Sequence, residues 1–355
     1  MKKIEIFFKN ILLKILLAIA KFNRPKNNQN LNNFSRILFI RLNRIGDALV
    51  ATPLLHRIKV NLNSKIYVLA DKKNYFAFNN NSDVDKLLVF KKGIKGILEV
   101  IEFIKRERID TIVDLHDDVS TTVSFIIALS NASNKLGLEK ENKIIYTQTV
   151  KKLDVKSNHV VERILELSKL FNISKDKSEI KIHYNLKSES IKKAEEFLKS
   201  NFREDKFLIG INISAGNESR FWGVNNFKLL LDFLSNYDLN IILLCAPNDL
   251  NLAMEISNKI AVFYSKVFDE FAAMIFKLNL LFTPDTMAIH LAAANEVTVF
   301  GMYVHDTEAM IWSPYNTDFK YISTNSPSLK NISFNEVKSK LQPLIDMKMN
   351  KITSN

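Results

Sequence analysis

The carboxylate of Asp47 is the first group in this sequence that could act as a base. It follows Gly46, and the apolar run Ile37–Ile40 upstream has the length and composition of a buried strand. Apolar residues at near-helical spacing then predict a helix, at Leu49, Leu54, Leu55 and Ile58. An aspartate at such a turn could take a proton from a hydroxyl, or it could cap the helix by accepting backbone N–H bonds. The turn has one glycine, which excludes a GxGxxG fingerprint and a P-loop.

Further polar side chains follow this strand and a second predicted strand, Asp110–Leu115. Ligands of open α/β sheets bind beyond the carboxyl ends of the strands, so these side chains are expected to line a site. Arginines there could hold a phosphate or carboxylate in bidentate fashion, or they could form surface ion pairs. Asp117 and Asp118 are alternative bases. The candidates around Asp47 are Arg41, Asn43, Arg44, Gly46, His116 and Asp117.

A second strand-to-turn unit lies in the other half of the chain. The stretch Ile209–Gly216 runs from an apolar strand into the small residues Ser214, Ala215 and Gly216. Such a turn lets backbone N–H groups approach a phosphate, and Arg220 four residues later offers a forked cation. An ordinary loop beside a buried Trp222 is the alternative.

Asp285 and Thr286 begin a third such unit, a short helix that contains His290. The free N–H groups at the start of a helix bind anions such as a diphosphate, and His290 would then face the ligand. Alternatively, Asp285 and Thr286 only cap the helix, and His290 is a core residue one turn in.

Taken together, these stretches resemble glycosyltransferase family 9, the bacterial ADP-heptose:lipopolysaccharide heptosyltransferases. The family opens with a strand, Arg-x-x-x-Ile-Gly-Asp and Thr-Pro, which Arg41–Asp47 and Thr52–Pro53 match. Its later motif, Asp-Thr/Ser-Gly-x-x-His-Leu-Ala-Ala, resembles the residues from Asp285 to Ala293, and Trp312-Ser-Pro314 matches its Trp-x-Pro. The resemblance covers residues 35–345.

The resemblance implies a role for each candidate. Asp47 would be the catalytic base, and the acceptor would lie against the residues around it. Arg220 stands where the family often has a lysine facing the donor phosphates. The implied donor-binding residues are Ser214, Ala215, Gly216, Arg220, Asp285, Thr286, Met287 and His290.

Two positions depart from the family pattern. Met287 replaces the usual glycine, and it puts a side chain where close approach of the backbone to phosphate is expected. The stretch Phe300–Asp306 differs from the family's Phe-Gly-Pro-Thr. There, Met302 and Tyr303 could line a base pocket or simply pack.

Alternating strand and helix patterns position these residues. Two doubly wound α/β domains are predicted, and the resemblance implies the GT-B architecture of two Rossmann-like domains facing a cleft, with an N-terminal amphipathic helix extension. The predicted divisions are the extension and linker 1–34, an acceptor domain 35–187, a donor domain 188–333 and a C-terminal helix and tail 334–355. A short strand is predicted at Ile180–Tyr184.

Composition narrows the function further. The net charge is +12 without a nucleic-acid-binding signature, which suits phosphorylated substrates and an anionic membrane surface; a general solubility role is the alternative. Cys245, the one cysteine, lies in an apolar run and is predicted to be a buried thiol. No Cys/His cluster has metal-ligand spacing, so neither a metal nor a cofactor is predicted.

Residues 1–22 are predicted to form an amphipathic helix on a membrane surface. Ile6–Ala20 is apolar except for Lys9, Asn10 and Lys14, and it is shorter than the ~20 residues that span a bilayer. As a helix it places several cations in one arc. A helix packed on the body or on a partner, and a signal or anchor segment, are the alternatives.

The sequence therefore predicts an inverting, metal-independent glycosyltransferase. It would move a heptose or related sugar from a nucleotide diphosphate donor, ADP-heptose by the resemblance, to a lipopolysaccharide core or other surface-glycan acceptor. It would lie in the cytoplasm, peripherally on the inner membrane. The alternatives are a non-catalytic sugar-nucleotide-binding relative at the membrane surface and a sugar-nucleotide epimerase of the same fold.

Overall fold

The structure, a computed structural model, describes residues 11, 13–18, 34–173, 176, 178–203, 205–305 and 311–353. The chain divides into two compact units, the first ending at His183 and the second beginning at Tyr184. Each unit is built on a six-stranded parallel sheet. The two doubly wound domains predicted from the alternating pattern are therefore confirmed.

The first domain has the strand order β3-β2-β1-β4-β5-β6. Its strands are β1 (Arg36–Arg41), β2 (Lys65–Ala70), β3 (Lys86–Val89), β4 (Thr111–Asp114), β5 (Asn134–Leu138) and β6 (Gln148–Val150). Its helices are α1 (Ile45–Leu49), α2 (Thr52–Asn61), α3 (Ile94–Arg106), α4 (Thr121–Leu129) and α5 (Val160–Leu165). The order reverses between β1 and β4, which is the switch point where such sheets bind ligands.

The second domain repeats this topology, with the order β12-β11-β10-β7-β8-β9. Its strands are β7 (Leu208–Asn212), β8 (Asn240–Cys245), β9 (Ala261–Tyr264), β10 (Leu280–Pro284), β11 (Thr298–Val304) and β12 (Phe319–Thr324). Its helices are α6 (Ser188–Asn201), α7 (Val224–Leu234), α8 (Leu250–Ile256), α9 (Phe268–Phe276), α10 (Met287–Ala294) and α11 (Phe334–Thr353). Here the switch point lies between β7 and β10.

Apolar runs in the central strands explain both sheets. β1 and β8 are buried at every position but the first, as expected when helices cover both faces of a parallel sheet. In the second domain the core includes Trp222, whose indole N–H donates to the carbonyl of Ile332 (2.8 Å). Helix α11 packs into the same core through Val337, Leu341, Leu344 and Ile345.

Several element predictions need correction. The predicted strand Ile180–Tyr184 is wrong: none of these residues joins a sheet, and the backbone N–H of His183 donates to Thr52 Oγ1 (2.9 Å) in α2 instead. The helix after Asp47 is broken into α1 and α2, and Pro53 occupies the first turn of α2. Strands β5, β6, β9 and β12 and helix α6 were not predicted.

At the N-terminus, residues 13–18 are helical. Leu16 is buried and Leu17 packs against the core of the first domain, whereas Ile11 and Ile15 are exposed. The remainder of the predicted membrane-surface helix, including Lys9 and Asn10, and the linker up to Asn33 lie outside the described residues. Among the helices that the structure describes, none is long and apolar enough to cross a bilayer.

Candidate functional site

Asp47 lies in the first turn of α1, directly beyond the carboxyl end of β1. Its Oδ2 accepts the backbone N–H of Arg44 (3.1 Å), and its Oδ1 forms an ion pair with Arg41 Nη2 (3.0 Å). The carboxylate therefore caps the helix, which was the alternative to its acting as a base. Its side chain is still 18% exposed, so its remaining lone pairs can meet a ligand.

Arg41 is buried behind this carboxylate, with a side chain only 1% exposed. Its Nε donates to the backbone carbonyl of Asp47 (3.1 Å), and its Nη1 donates to the carbonyl of Leu115. Burial lowers the pKa of Arg41 and the charge of Asp47 opposes that shift, and a guanidinium stays protonated in proteins. We therefore assign Arg41 to orienting Asp47 instead of binding the acceptor directly.

His116, at the end of β4, is also a positioning residue in this structure. Its Nε2 accepts the backbone N–H of Leu42 (3.0 Å), and its Nδ1 lies 2.7 Å from Asp114 Oδ1. Because Nε2 accepts a hydrogen bond, the ring proton that faces Asp114 lies on Nδ1. His116 thus fastens the loop that carries Asn43 and Arg44, whose side chains are exposed.

Asp114 anchors a buried polar network that sequence reasoning missed. Its Oδ2 accepts from Lys140 Nζ (2.7 Å) and from the hydroxyl of Tyr146 (2.6 Å). Lys140 also donates to the carbonyl of His116 (2.9 Å). Burial by itself raises the pKa of Asp114, but His116 and Lys140 outweigh it and hold the pKa well below its usual range. The sequence feature that could have indicated this network is the position of Asp114 at the end of the buried strand β4.

Asp117 and Asp118 differ in their availability as bases. Asp117 pairs with the buried Arg163, and Lys152 donates to the Asp117 carbonyl. Asp118 is exposed. Asp117 is about as exposed as Asp47 (19% against 18%) and is also held by an arginine, but its Oδ1 is buried. We therefore assign the base to Asp47, whose carboxylate is held by the Arg41 side chain and by the backbone N–H of Arg44.

In the second domain, the turn after β7 is fixed by side chains. The hydroxyl of Ser214 donates to Asp249 and accepts the backbone N–H of Ala246 (2.7 Å). Gly216 has φ +68°, a left-handed conformation that favours glycine, and the space beside its Cα is open. The amide of Asn212 donates to Thr283 Oγ1 (2.9 Å) and Thr286 Oγ1 (3.3 Å). Asn212 and Asp249, which sequence reasoning missed, thus join this turn to its neighbours.

Arg220 and Asp285 meet at the start of α10. The Nη1 of Arg220 donates to the backbone carbonyl of Asp285 (2.7 Å), and its Nη2 lies 3.0 Å from Asp285 Oδ2. Both side chains are partly exposed. The guanidinium has five N–H donors, so it can contact a further anion while it holds Asp285.

Helix α10 begins at Met287, with Thr286 as its N-cap. Met287 is not among the described non-glycine residues with a positive φ, so its φ is negative. The backbone conformation at this position therefore does not require the glycine of the family motif. Met287 differs from that glycine only in having a side chain. His290, one turn in, is buried, with its ring centroid 6.0 Å from that of Trp312.

The residues proposed for a base pocket are packed. Met302 belongs to the core of the second domain, and Tyr303 is 5% exposed. The Tyr303 ring covers Gly301, where an added Cβ would lie 2.7 Å from Tyr303 Cε2. Burial, with the nearby charge of Asp285, raises the pKa of Tyr303. Asp306, at the end of this stretch, lies outside the described residues.

Comparisons with known proteins match this chain to one family and one fold. A family model described as glycosyltransferase family 9 (heptosyltransferase) matches residues 97–341. A glycosyl transferase family 9 structure from Veillonella parvula is 21% identical with a TM-score of 0.79, and the alignment covers 90% of this chain and 100% of that one. No curated protein matches this sequence.

Two Escherichia coli structures are similar over 88% of this chain and 99% of their own. The ADP-heptose LPS heptosyltransferase II is 14% identical with a TM-score of 0.70. The heptosyltransferase WaaC with ADP is 15% identical with a TM-score of 0.69. At these identities the likeness shows the fold, two Rossmann-like domains of the GT-B class.

Proposed function

Since the chain belongs to glycosyltransferase family 9 and is a glycosyltransferase, we propose that it transfers a heptose or a related sugar from ADP-heptose. The proposed acceptor is a hydroxyl of a lipopolysaccharide core or another surface glycan. Transfer would invert the anomeric centre and need no metal. Structural relatives named for ADP-heptose, or solved with ADP, support this choice of donor.

The observation that carries the proposal is the partly exposed carboxylate of Asp47, fixed by the buried Arg41. Asp47 would accept the proton of the acceptor hydroxyl while that oxygen attacks the anomeric carbon of the donor. The bond from this carbon to the diphosphate breaks in the same step, and the diphosphate leaves with the electron pair. A carboxylate held in one orientation needs no rearrangement to accept the proton.

The departing diphosphate would be stabilised in the second domain. The N-terminus of α10 brings the positive end of a helix dipole, and Arg220 adds a cation at the same place. Both act on charge that develops as the bond breaks, which is the most effective use of an electrostatic contact. In the turn after β7, the N–H of Ser214 donates to Asn212 Oδ1 (3.2 Å), so the N–H groups of Ala215 and Gly216 would contact the diphosphate. His290 would lie behind the diphosphate.

Met287 favours a second candidate, a sugar-nucleotide binder without transferase activity. Its side chain stands at the first residue of α10, where the family has none. A binder would hold the donor and transfer nothing, and an epimerase would convert the donor without an acceptor. Addition of an acceptor therefore separates both from a transferase, because only a transferase would then form a glycosylated product.

The donor site is tested by titrating ADP-heptose and UDP-, GDP- and dTDP-sugars into the protein. We expect selective binding of ADP-heptose, and Arg220→Met should weaken it by about ten- to a hundredfold, since a hydrogen bond to a charged group contributes about 1.5–3 kcal/mol. The matched control is Arg203→Met, because Arg203 is exposed and pairs with Asp205. Equal affinity in the two variants would remove Arg220 from the donor site. Selective binding of another sugar nucleotide would contradict the assignment of the donor.

We also propose that residues 1–22 hold the enzyme on the cytoplasmic face of the inner membrane, near a lipid-linked acceptor. The cations predicted for one face of this helix support the proposal. The full-length protein should float with vesicles that contain anionic lipid, and a variant without residues 1–24 should not. Vesicles of neutral lipid are the control. Equal flotation of both proteins, or none of either, would contradict the proposal.

A further inference from the structure

Two histidines and an aspartate converge in the first domain, on segments other than the turn that carries Asp47. Each of His56, Asp83 and His183 offers one ligand atom, and these atoms lie within 4.8 Å of one another. His56 Nδ1 is 3.0 Å from Asp83 Oδ2. The rings of His56 and His183 stack with their centroids 4.0 Å apart.

One ring nitrogen of His183 lacks a hydrogen-bond partner among the described residues. This atom, Nε2, is buried. A buried ring nitrogen without a partner is costly. Ring nitrogens of histidine are the commonest metal ligands in proteins.

The backbones around these three side chains are held in place by contacts that the three side chains themselves do not make. His56 lies one turn after Thr52 on α2, and Thr52 Oγ1 accepts the N–H of His183 (2.9 Å). The N–H of Asp83 donates to Asn81 Oδ1 (2.9 Å). Arg57, next to His56, forms an ion pair with Asp176 (2.6 Å) and donates to Ser178 Oγ (3.1 Å). The segment from Asp176 to His183 is thus fastened to α2 on either side of the cluster.

We propose that His56, Asp83 and His183 bind a divalent transition metal, with Zn²⁺ as the best match. Two imidazoles and one carboxylate form a set of ligands that zinc favours. Zinc bonds of about 2.0–2.2 Å place tetrahedral ligands roughly 3.4 Å apart. Ligand atoms up to 4.8 Å apart here would therefore close by up to about 1.4 Å. At least one of the two stacked imidazoles would also rotate to aim its in-plane lone pair at the ion.

The bound ion would have a structural role. It would exchange the hydrogen bond between His56 and Asp83 for two metal bonds and give His183 a partner. Water would complete four-coordination. Because His183 ends the first unit and Tyr184 begins the second, the metal would fix the end of the segment that leads from one domain to the next.

The test titrates ZnSO₄ into untagged, full-length protein that has been treated with a chelator. We expect one zinc per chain, a higher melting temperature and slower hydrogen exchange of the amides at 178–183. Co²⁺ in place of zinc should give the absorption bands of a four-coordinate site. His183→Gln and Asp83→Asn should each weaken zinc binding by at least about tenfold, since even outer-shell changes weaken metal sites by 10–100-fold.

The matched control is His305→Asn, which removes an exposed histidine outside the cluster at a left-handed position (φ 70°) that asparagine tolerates. It should bind zinc as the wild type does. Asp83→Asn keeps the size of the side chain, so its melting temperature without metal reports whether the fold survives. No stoichiometric zinc binding by the wild type, or the same affinity in His183→Gln and His305→Asn, would overturn the proposal.

Discussion

Replacing Asp47 with asparagine is expected to lower the rate of sugar transfer by about 10²–10⁴-fold, the contribution typical of a general base. Asparagine keeps the shape of the side chain and can still accept from Arg41, but it cannot take the acceptor proton. Binding of ADP-heptose should change little, because the residues assigned to the donor lie in the second domain. The measurements are kcat for transfer and a donor titration on the same preparation.

Asp118→Asn is the matched control for this prediction. Asp118 is an exposed aspartate that follows the neighbouring strand β4, and its loss should leave kcat nearly unchanged. Because Asp47→Asn leaves Arg41 without its ion-pair partner, the melting temperature of the variant must be measured as well. A folded Asp47→Asn protein with full transfer activity would end the assignment of Asp47 as the base, and a loss with Asp118→Asn alone would move the role to Asp118.

Lys140→Met is expected to cause the largest loss of stability, about 3–5 kcal/mol in the free energy of unfolding of the first domain. Lys140 and Asp114 form an ion pair in which each side chain is 1% exposed. Methionine fills similar volume but leaves a carboxylate in the core with only Tyr146 and His116 to bind it. Urea denaturation, followed by a probe in the first domain, measures the change.

Lys135→Met is the matched control. Lys135 lies on strand β5, five residues before Lys140, and its ammonium reaches only the carbonyl of Ala128 (3.5 Å) among the contacts that the structure gives. Its cost should stay within about 1 kcal/mol, as for substitutions away from buried networks. If the two lysine variants were equally stable, the buried pair would contribute nothing beyond packing.

The same pair makes the stability depend on pH. Because the folded-state pKa of Asp114 is lowered, its contribution is complete above the unfolded pKa of about 3.9 and is lost as the pH falls below that value. The free energy of unfolding should therefore fall more steeply below pH 4 in the wild type than in Asp114→Asn. Parallel acid limbs in the two proteins would contradict the lowered pKa.

The alternation of apolar runs with helical patterns was enough to predict both domains. The runs Ile37–Ile40 and Ile241–Cys245 are apolar throughout because central parallel strands are buried on both faces. Edge strands carry less signal. β6 has three residues, and in β12 only Ile322 is buried, so neither strand could be told from a loop.

The candidate residues at strand ends were predictable for the same topological reason. Asp47 and His116 follow β1 and β4, and Arg220 and Asp285 follow β7 and β10, which are neighbours in their sheets. Their hydrogen-bond partners were not predictable. A buried Arg41 and an exposed Arg44 look alike in a sequence, and only the packing of the β4 loop over Arg41 separates them.

Partners that are distant in the chain left no local pattern. Asp114 and Lys140 are 26 residues apart. His183, which contacts His56, lies in a segment that was predicted to be a strand. Metal-ligand spacing in a sequence reports ligands on one turn or hairpin. This spacing therefore did not indicate the three proposed ligands, which come from a helix, a loop and the end of the first domain.

The central claim is tested most directly by release of ADP from ADP-heptose, measured with and without a lipopolysaccharide-core acceptor. We predict that ADP release depends on the acceptor and that the acceptor gains the mass of one heptose. Conversion of the donor without acceptor would indicate an epimerase. Binding of ADP-heptose with no transfer to any core acceptor would contradict the transferase and indicate a binder in which Met287 has changed the donor site.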